Sequence, residues 1–173
     1  METRLILTLI CIGIVIAVFS LMWLGWRNRQ RRQENLPTLA VVPAGYDQRA
    51  STIGVPGTYV ATTVMGDWLD RVAVHSLGVK AKATVLVYED ALIISREGAH
   101  DLFIPVTDII AVRTEAGMSG KFVEKDGLVM VSWQHGQAKL DTGFRTQFAE
   151  HKPMLLQEIC TIAPHAAQEL PSL

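Results

Sequence analysis

Cysteine is scarce in this chain of 173 residues, with only Cys11 and Cys160 present, so neither a disulfide framework nor a cysteine-built zinc site can be assembled. The five histidines, at 75, 100, 135, 151 and 165, are scattered with no cysteine pair beside them, and no metal site is expected. An excess of one charge is also missing. Sixteen Lys and Arg against 17 Asp and Glu leave a net of −1, which excludes the strongly basic balance of a dedicated nucleic-acid binder. No G-x-S-x-G elbow or cysteine-centred motif places a nucleophile beside a base. The stretch Gly117-Met118-Ser119-Gly120-Lys121 is too short for a phosphate-binding loop and has Phe122 where the hydroxyl residue belongs. No catalytic residue, cofactor or enzymatic activity is therefore expected. A mass of 19.1 kDa leaves room for one domain and one extra element, not for a multidomain enzyme.

What the chain does have is one long apolar run. Residues 5–26, LILTLICIGIVIAVFSLMWLGW, carry no charge. As a helix rising about 1.5 Å per residue they would extend roughly 33 Å, enough for a hydrocarbon core of about 30 Å. Trp23 and Trp26 stand at its end, where indole rings favour the headgroup boundary, and Arg27, Arg29, Arg31 and Arg32 follow. Before the run there is only Arg4, opposed by Glu2. Positive flanks stay inside, so this asymmetry predicts one span of an inner (plasma) membrane with the N-terminus outside and the C-terminal part cytoplasmic. A cleaved secretory signal would instead need a basic leader, a shorter apolar stretch and small residues at a cleavage site, where this chain has Trp-Leu-Gly-Trp-Arg.

Prolines at 37, 43 and 56 and the lack of a sustained period make residues 27–57 read as a basic juxtamembrane segment and linker. From Thr58 the pattern changes to short runs of Val, Ile, Thr and aromatics broken by turn residues, which predicts strands over 58–64, 81–89, 91–98, 101–105, 109–115, 127–134 and 138–144. Helical spacing then recurs over 145–163, with Pro153 marking a helix start or a kink. The organisation expected is a short outer N-terminus (1–4), a membrane helix (5–26), the linker (27–57), one mainly β domain (58–162) and a tail (163–173).

Seven short strands followed by one helix, and the stretches TYVATT, TVLVYEDALIISREG, IPVTDIIAVR, GLVMVSW and LDTGFR, resemble the small actinobacterial single-pass membrane proteins that carry a cytoplasmic bacterial pleckstrin-homology-like (PH-like) domain. The resemblance implies a partly open barrel of about seven antiparallel strands closed by a C-terminal helix. It implies little about activity, because function belongs to sites rather than folds. In eukaryotic PH domains a basic cluster between the first two strands meets phosphates; here that loop offers Asp67, Asp70, Arg71, Lys80 and Lys82 without a clustered basic face, which disfavours phosphoinositides. Residues 58–162 hold ten Lys and Arg against thirteen Asp and Glu, a net of −3, which opposes docking on an anionic bilayer.

The expectation is a membrane-anchored, non-enzymatic binding or scaffolding module, an adaptor recognising a protein partner at the inner face. Alternatives are an accessory subunit of an export or transport complex and a lipid-sensing module. Trp68, Leu69, Met118 and Lys121 are the candidate partner contacts, with strand addition along an open sheet edge as the expected mode. In LDTGFR, Asp141 or Thr142 is expected to cap the helix, Gly143 to take a positive φ, and Arg145 to pair with a carboxylate.

Overall fold

The computed structural model describes residues 2–33 and 36–169, and the chain divides into two compact units, Met1–Asn35 and Leu36–Leu173. The first unit is helix α1, Glu2–Gln33. Uncharged straight-chain and branched apolar residues sustain it, and every side chain of residues 10–25 is exposed. Among the described residues, no helix is long and apolar enough to cross a membrane. The described side chains of α1 are those of Ile6 and residues 10–25. Trp23 is among the exposed ones, whereas the side chains of Trp26, Arg27, Arg29, Arg31 and Arg32 lie outside the described residues.

The second unit holds β1 (Ile53–Val64), β2 (Asp67–Arg71), β3 (Ala81–Val87), β4 (Ala91–Arg96), β5 (Leu102–Pro105), β6 (Ile109–Glu115), β7 (Gly117–Met118), β8 (Lys121–Phe122), β9 (Leu128–His135), β10 (Ala138–Thr146) and α2 (His151–Ile162). The main sheet is antiparallel in the order β5-β4-β3-β1-β10-β9-β6, with β2 paired to β1, while β7 and β8 pair with each other. The path ends at β5 and β6, so the sheet is not closed into a barrel. Val55, Tyr59, Val85, Ile94, Ile104, Val112, Val131, Trp133, Leu140 and Phe144 fill its inner face. Leu155 and Ile159 of α2, with Ala163 and Ala166 after it, complete that core.

Several local expectations change for physical reasons. β1 begins at Ile53 rather than Thr58, and runs through Pro56. The Pro56 carbonyl accepts the N–H of Gln147, just past the end of β10, so the missing proline donor faces a side with no ladder to break. Residues expected as linker are packed: Leu36 and Leu39 lie on the main core, and Val42 and Tyr46 cover the outer faces of β3, β4 and β5. Tyr46 meets Tyr88 and Phe103 edge-on at 5.0 and 5.3 Å, and its hydroxyl donates to Asp90 at 2.8 Å. Helix α2 starts at His151, so residues 145–150 finish β10 and turn, and Pro153 sits in the first helical turn where its missing N–H is harmless.

The segment after β2 plugs one end of the sheet. Val72 and Leu77 are fully buried, and His75 and Ser76 both take positive φ, 55° and 58°. Arg96, 4 % exposed, holds this strained turn by donating to the carbonyls of Ser76 (3.0 Å) and His100 (2.6 and 2.9 Å). Its guanidinium also lies 4.8 Å from the centre of the Tyr59 ring. The Tyr59 hydroxyl donates to the Leu77 carbonyl at 2.6 Å and meets Thr62 Oγ1 at 2.7 Å.

Burial pushes the Tyr59 phenol up to about 12, against the opposing Thr62 hydrogen bond and Arg96 charge. Because the folded state favours the neutral phenol, this group's contribution is complete below the unfolded value of about 10 and is lost as pH rises from there through about 12. The loss should reach about 2–3 kcal/mol. Absorbance titration should show one tyrosine ionising near pH 12 and that step vanishing in Tyr59→Phe; ionisation of all tyrosines near 10 would contradict the buried placement.

Candidate functional site: a groove on the outer face of the sheet

β9 and β10 are buried on both faces. Their outer residues Leu128, Met130 and Gly143 need a cover, and the small hairpin β7–β8 supplies it. Its turn residues, Ser119 and Gly120, have φ 57° and 76°, as a two-residue hairpin with two left-handed positions requires. Met118 between them and the sheet is fully buried with Val60, Ala61, Leu128 and Met130. A Cβ on Gly143 would come 2.5 Å from the Met118 sulfur, so the glycine is needed for close approach, not for a positive φ.

A second loop meets this hairpin. Thr63 and Val64 of β1 oppose Arg71 and Asp67 of β2, so Trp68, Leu69 and Asp70 bulge outward between them. Asp67 Oδ1 accepts the backbone N–H groups of Leu69 and Asp70, each at 3.1 Å. The Trp68 carbonyl accepts the Ser119 N–H at 2.8 Å, and Arg71 Nε donates to Ser119 Oγ at 2.6 Å. The Trp68 and Phe122 rings then lie 5.9 Å apart, both well exposed.

Between them and the sheet is a groove of about 400 Å³ lined by Thr63, Trp68, Arg113, Glu115, Phe122, Met130 and Asp141 among others. Its floor carries a network running across three strands. Asp141 accepts from Arg113 Nη2 at 2.8 Å and from Ser132 Oγ at 2.6 Å, and Arg113 also donates to Ser132 Oγ. Arg113 Nε donates to Glu115 at 3.0 Å. Burial opposes the charge on Arg113, but hydrogen bonding and attraction to Asp141 and Glu115 outweigh it and raise its pKa. The arginine is thus a fixed cation held between two carboxylates. Thr63 Oγ1, beside Asp141 in the ladder, is buried without a hydrogen-bond partner.

Of the residues singled out by sequence, Trp68 and Leu69 are exposed at this site and Met118 is not. Met118 is the hairpin's buried anchor, and its burial removes it as a direct contact. The Lys121 side chain lies outside the described residues. Phe122, Thr63, Arg113 and Glu115 were missed, and Asp141 was singled out only as a helix cap; a Ser-Gly pair flanked by short strands was the available signal for the hairpin that presents Phe122. The LDTGFR stretch serves this architecture. Asp141 holds Arg113, and Thr142 bonds Thr62 at 2.8 Å and Trp133 Nε1 at 2.9 Å. Neither caps α2. Arg145 does pair with a carboxylate, Glu124, at 2.9 Å. No group of His, Cys, Asp and Glu suited to a metal ion occurs among the described residues.

The sequence profile described as Bacterial PH domain-like matches residues 36–160. The chain belongs to that bacterial PH-like family. Such domains are generally non-catalytic binding modules. The match begins at Leu36, where the second compact unit begins, so the PH-like domain includes the packed segment that carries Leu36, Leu39, Val42 and Tyr46. No curated protein matches the chain. A solved structure of Vav1, inhibited by an allosteric inhibitor that blocks GEF activity, is similar at 15 % identity with a TM-score of 0.41. That similarity covers 80 % of this chain and 32 % of the Vav1 chain, so this chain spans about a third of its length.

The Arg113–Asp141 pair, with side chains 20 % and 6 % exposed, predicts an asymmetric response. Asp141→Ala removes the more buried of the two carboxylates that hold Arg113 and should cost about 3 kcal/mol in chemical denaturation, whereas Arg113→Met with Asp141→Leu should recover most of it. An Asp141→Ala variant as stable as the parent would remove the network from the account.

Proposed function

We propose that this PH-like protein is a membrane-anchored, non-enzymatic binding module that recognises a protein partner through the outer groove. The carrying observation is the exposed aromatic pair Trp68 and Phe122, fixed over a polar floor by a backbone hydrogen bond and the buried Met118 anchor. Aromatic residues on a rigid support lose little entropy on binding, which is why they dominate partner contacts.

Anchoring is supported by the uncharged run over 5–26 and by the exposure of every side chain of residues 10–25. A helix apolar all round needs an apolar surrounding. Trp23 and Trp26 suit the headgroup boundary, and Arg27, Arg29, Arg31 and Arg32 direct the domain to the cytoplasmic side of the inner membrane. Tethering confines the domain to the membrane plane, so a weak contact becomes effective through local concentration. Strand addition fits less well at one end of the sheet: the segment Pro164–Glu169 lies against β6, with His165 bonded to the Ile109 carbonyl at 2.8 Å.

A photo-crosslinking amino acid placed at Trp68, Phe122 or Phe19 in native cells tests this reading. Protein adducts from positions 68 and 122, with lipid adducts from 19, are expected. Lipid alone at 68 and 122 would favour a lipid sensor, and protein adducts confined to 19 would favour an accessory subunit of a membrane complex; either outcome overturns the proposal.

A further inference from the structure

The groove's charge and shape select a class of occupant. Its described charged side chains are Arg113, Glu115 and Asp141, a net of −1 among the described residues, and the one cation among them is already bonded to both carboxylates. An anionic ligand would have to displace one of those carboxylates. A cation need displace nothing, because the exposed Glu115 carboxylate can accept from a second donor beside Arg113. The Trp68 and Phe122 faces attract positive charge and accept a methylene stem. The net of −3 over residues 58–162 acts at longer range in the same sense.

We infer that the groove between Trp68, Phe122 and Glu115 binds a lysine or arginine side chain presented by an extended segment of the partner protein. The stem lies along the two rings, and the cationic head approaches the exposed carboxylate of Glu115. This inference rests on the groove being the partner site and adds the chemistry of what enters it.

The test uses the full chain in phospholipid nanodiscs and three capped peptides, Gly-Gly-Arg-Gly-Gly and its norleucine and glutamate counterparts in place of arginine. The readout is the indole N–H resonance of Trp68, assigned by its loss in Trp68→Phe, and the amide of Gly117. The arginine peptide should shift both saturably, Glu115→Gln should weaken it about three- to fivefold, and added salt should weaken it further. Equal shifts with norleucine would reduce the site to an apolar patch, and shifts with glutamate would reverse its polarity. No shift with any peptide would also overturn the cationic class. In that last case a protein adduct retained at position 68 in cells leaves the groove as partner site, whereas its loss removes both.

Discussion

Met118 over Gly143 is the contact on which the outer side of this domain depends. An antiparallel sheet usually buries one face and wets the other, but strands β9 and β10 here are buried on both faces. The inner face has α2 and the opposite half of the sheet. The outer face has only a hairpin of two-residue strands, too short to be stable by itself. A methionine side chain that penetrates to the sheet converts this hairpin into a lid with a fixed position, and the absence of a Cβ at 143 is what makes room for it. From that position the hairpin turn can accept Arg71 and bond the Trp68 carbonyl. Two exposed loops thereby become one surface.

The polar floor beneath is consistent with a recognition role rather than a stabilising one. A desolvated ion pair adds little stability over apolar residues of similar volume, although breaking it is costly. Arg113, Asp141 and Ser132 nevertheless occupy a row that apolar side chains could have filled, beside a buried hydroxyl left without a partner. Elsewhere in the domain the buried polar groups are structural in an obvious sense. Arg96 ties down the left-handed His75–Ser76 turn, and the Thr62–Thr142–Trp133 chain satisfies its own members.

The domain's sheet was legible where alternation and turn residues coincide. Residues 109–115 form a strand with the expected bounds, and the strands over 81–87, 91–96 and 128–135 follow the expected runs closely. Legibility failed where long-range packing decides. Tyr46 gives no periodic signal, yet Tyr88, Phe103 and Asp90, more than forty residues away, hold it in place. The outward bulge of Trp68 depends on Asp67 accepting two backbone N–H groups, which residue type alone suggests only as a turn. LDTGFR stood out as a motif, but its meaning lay across the sheet in Met118, Arg113 and Trp133, not in the helix that follows it.

The most direct test joins the Met118 contact to partner recognition. A photo-crosslinker at position 68 would be compared in cells between the parent and a Gly143→Val variant, with protease resistance of the β1–β10 core as the check on folding. The protein adduct should be lost while the core remains resistant, because the valine side chain displaces Met118 and the hairpin that positions Phe122. An undiminished adduct in a folded Gly143→Val protein would contradict it.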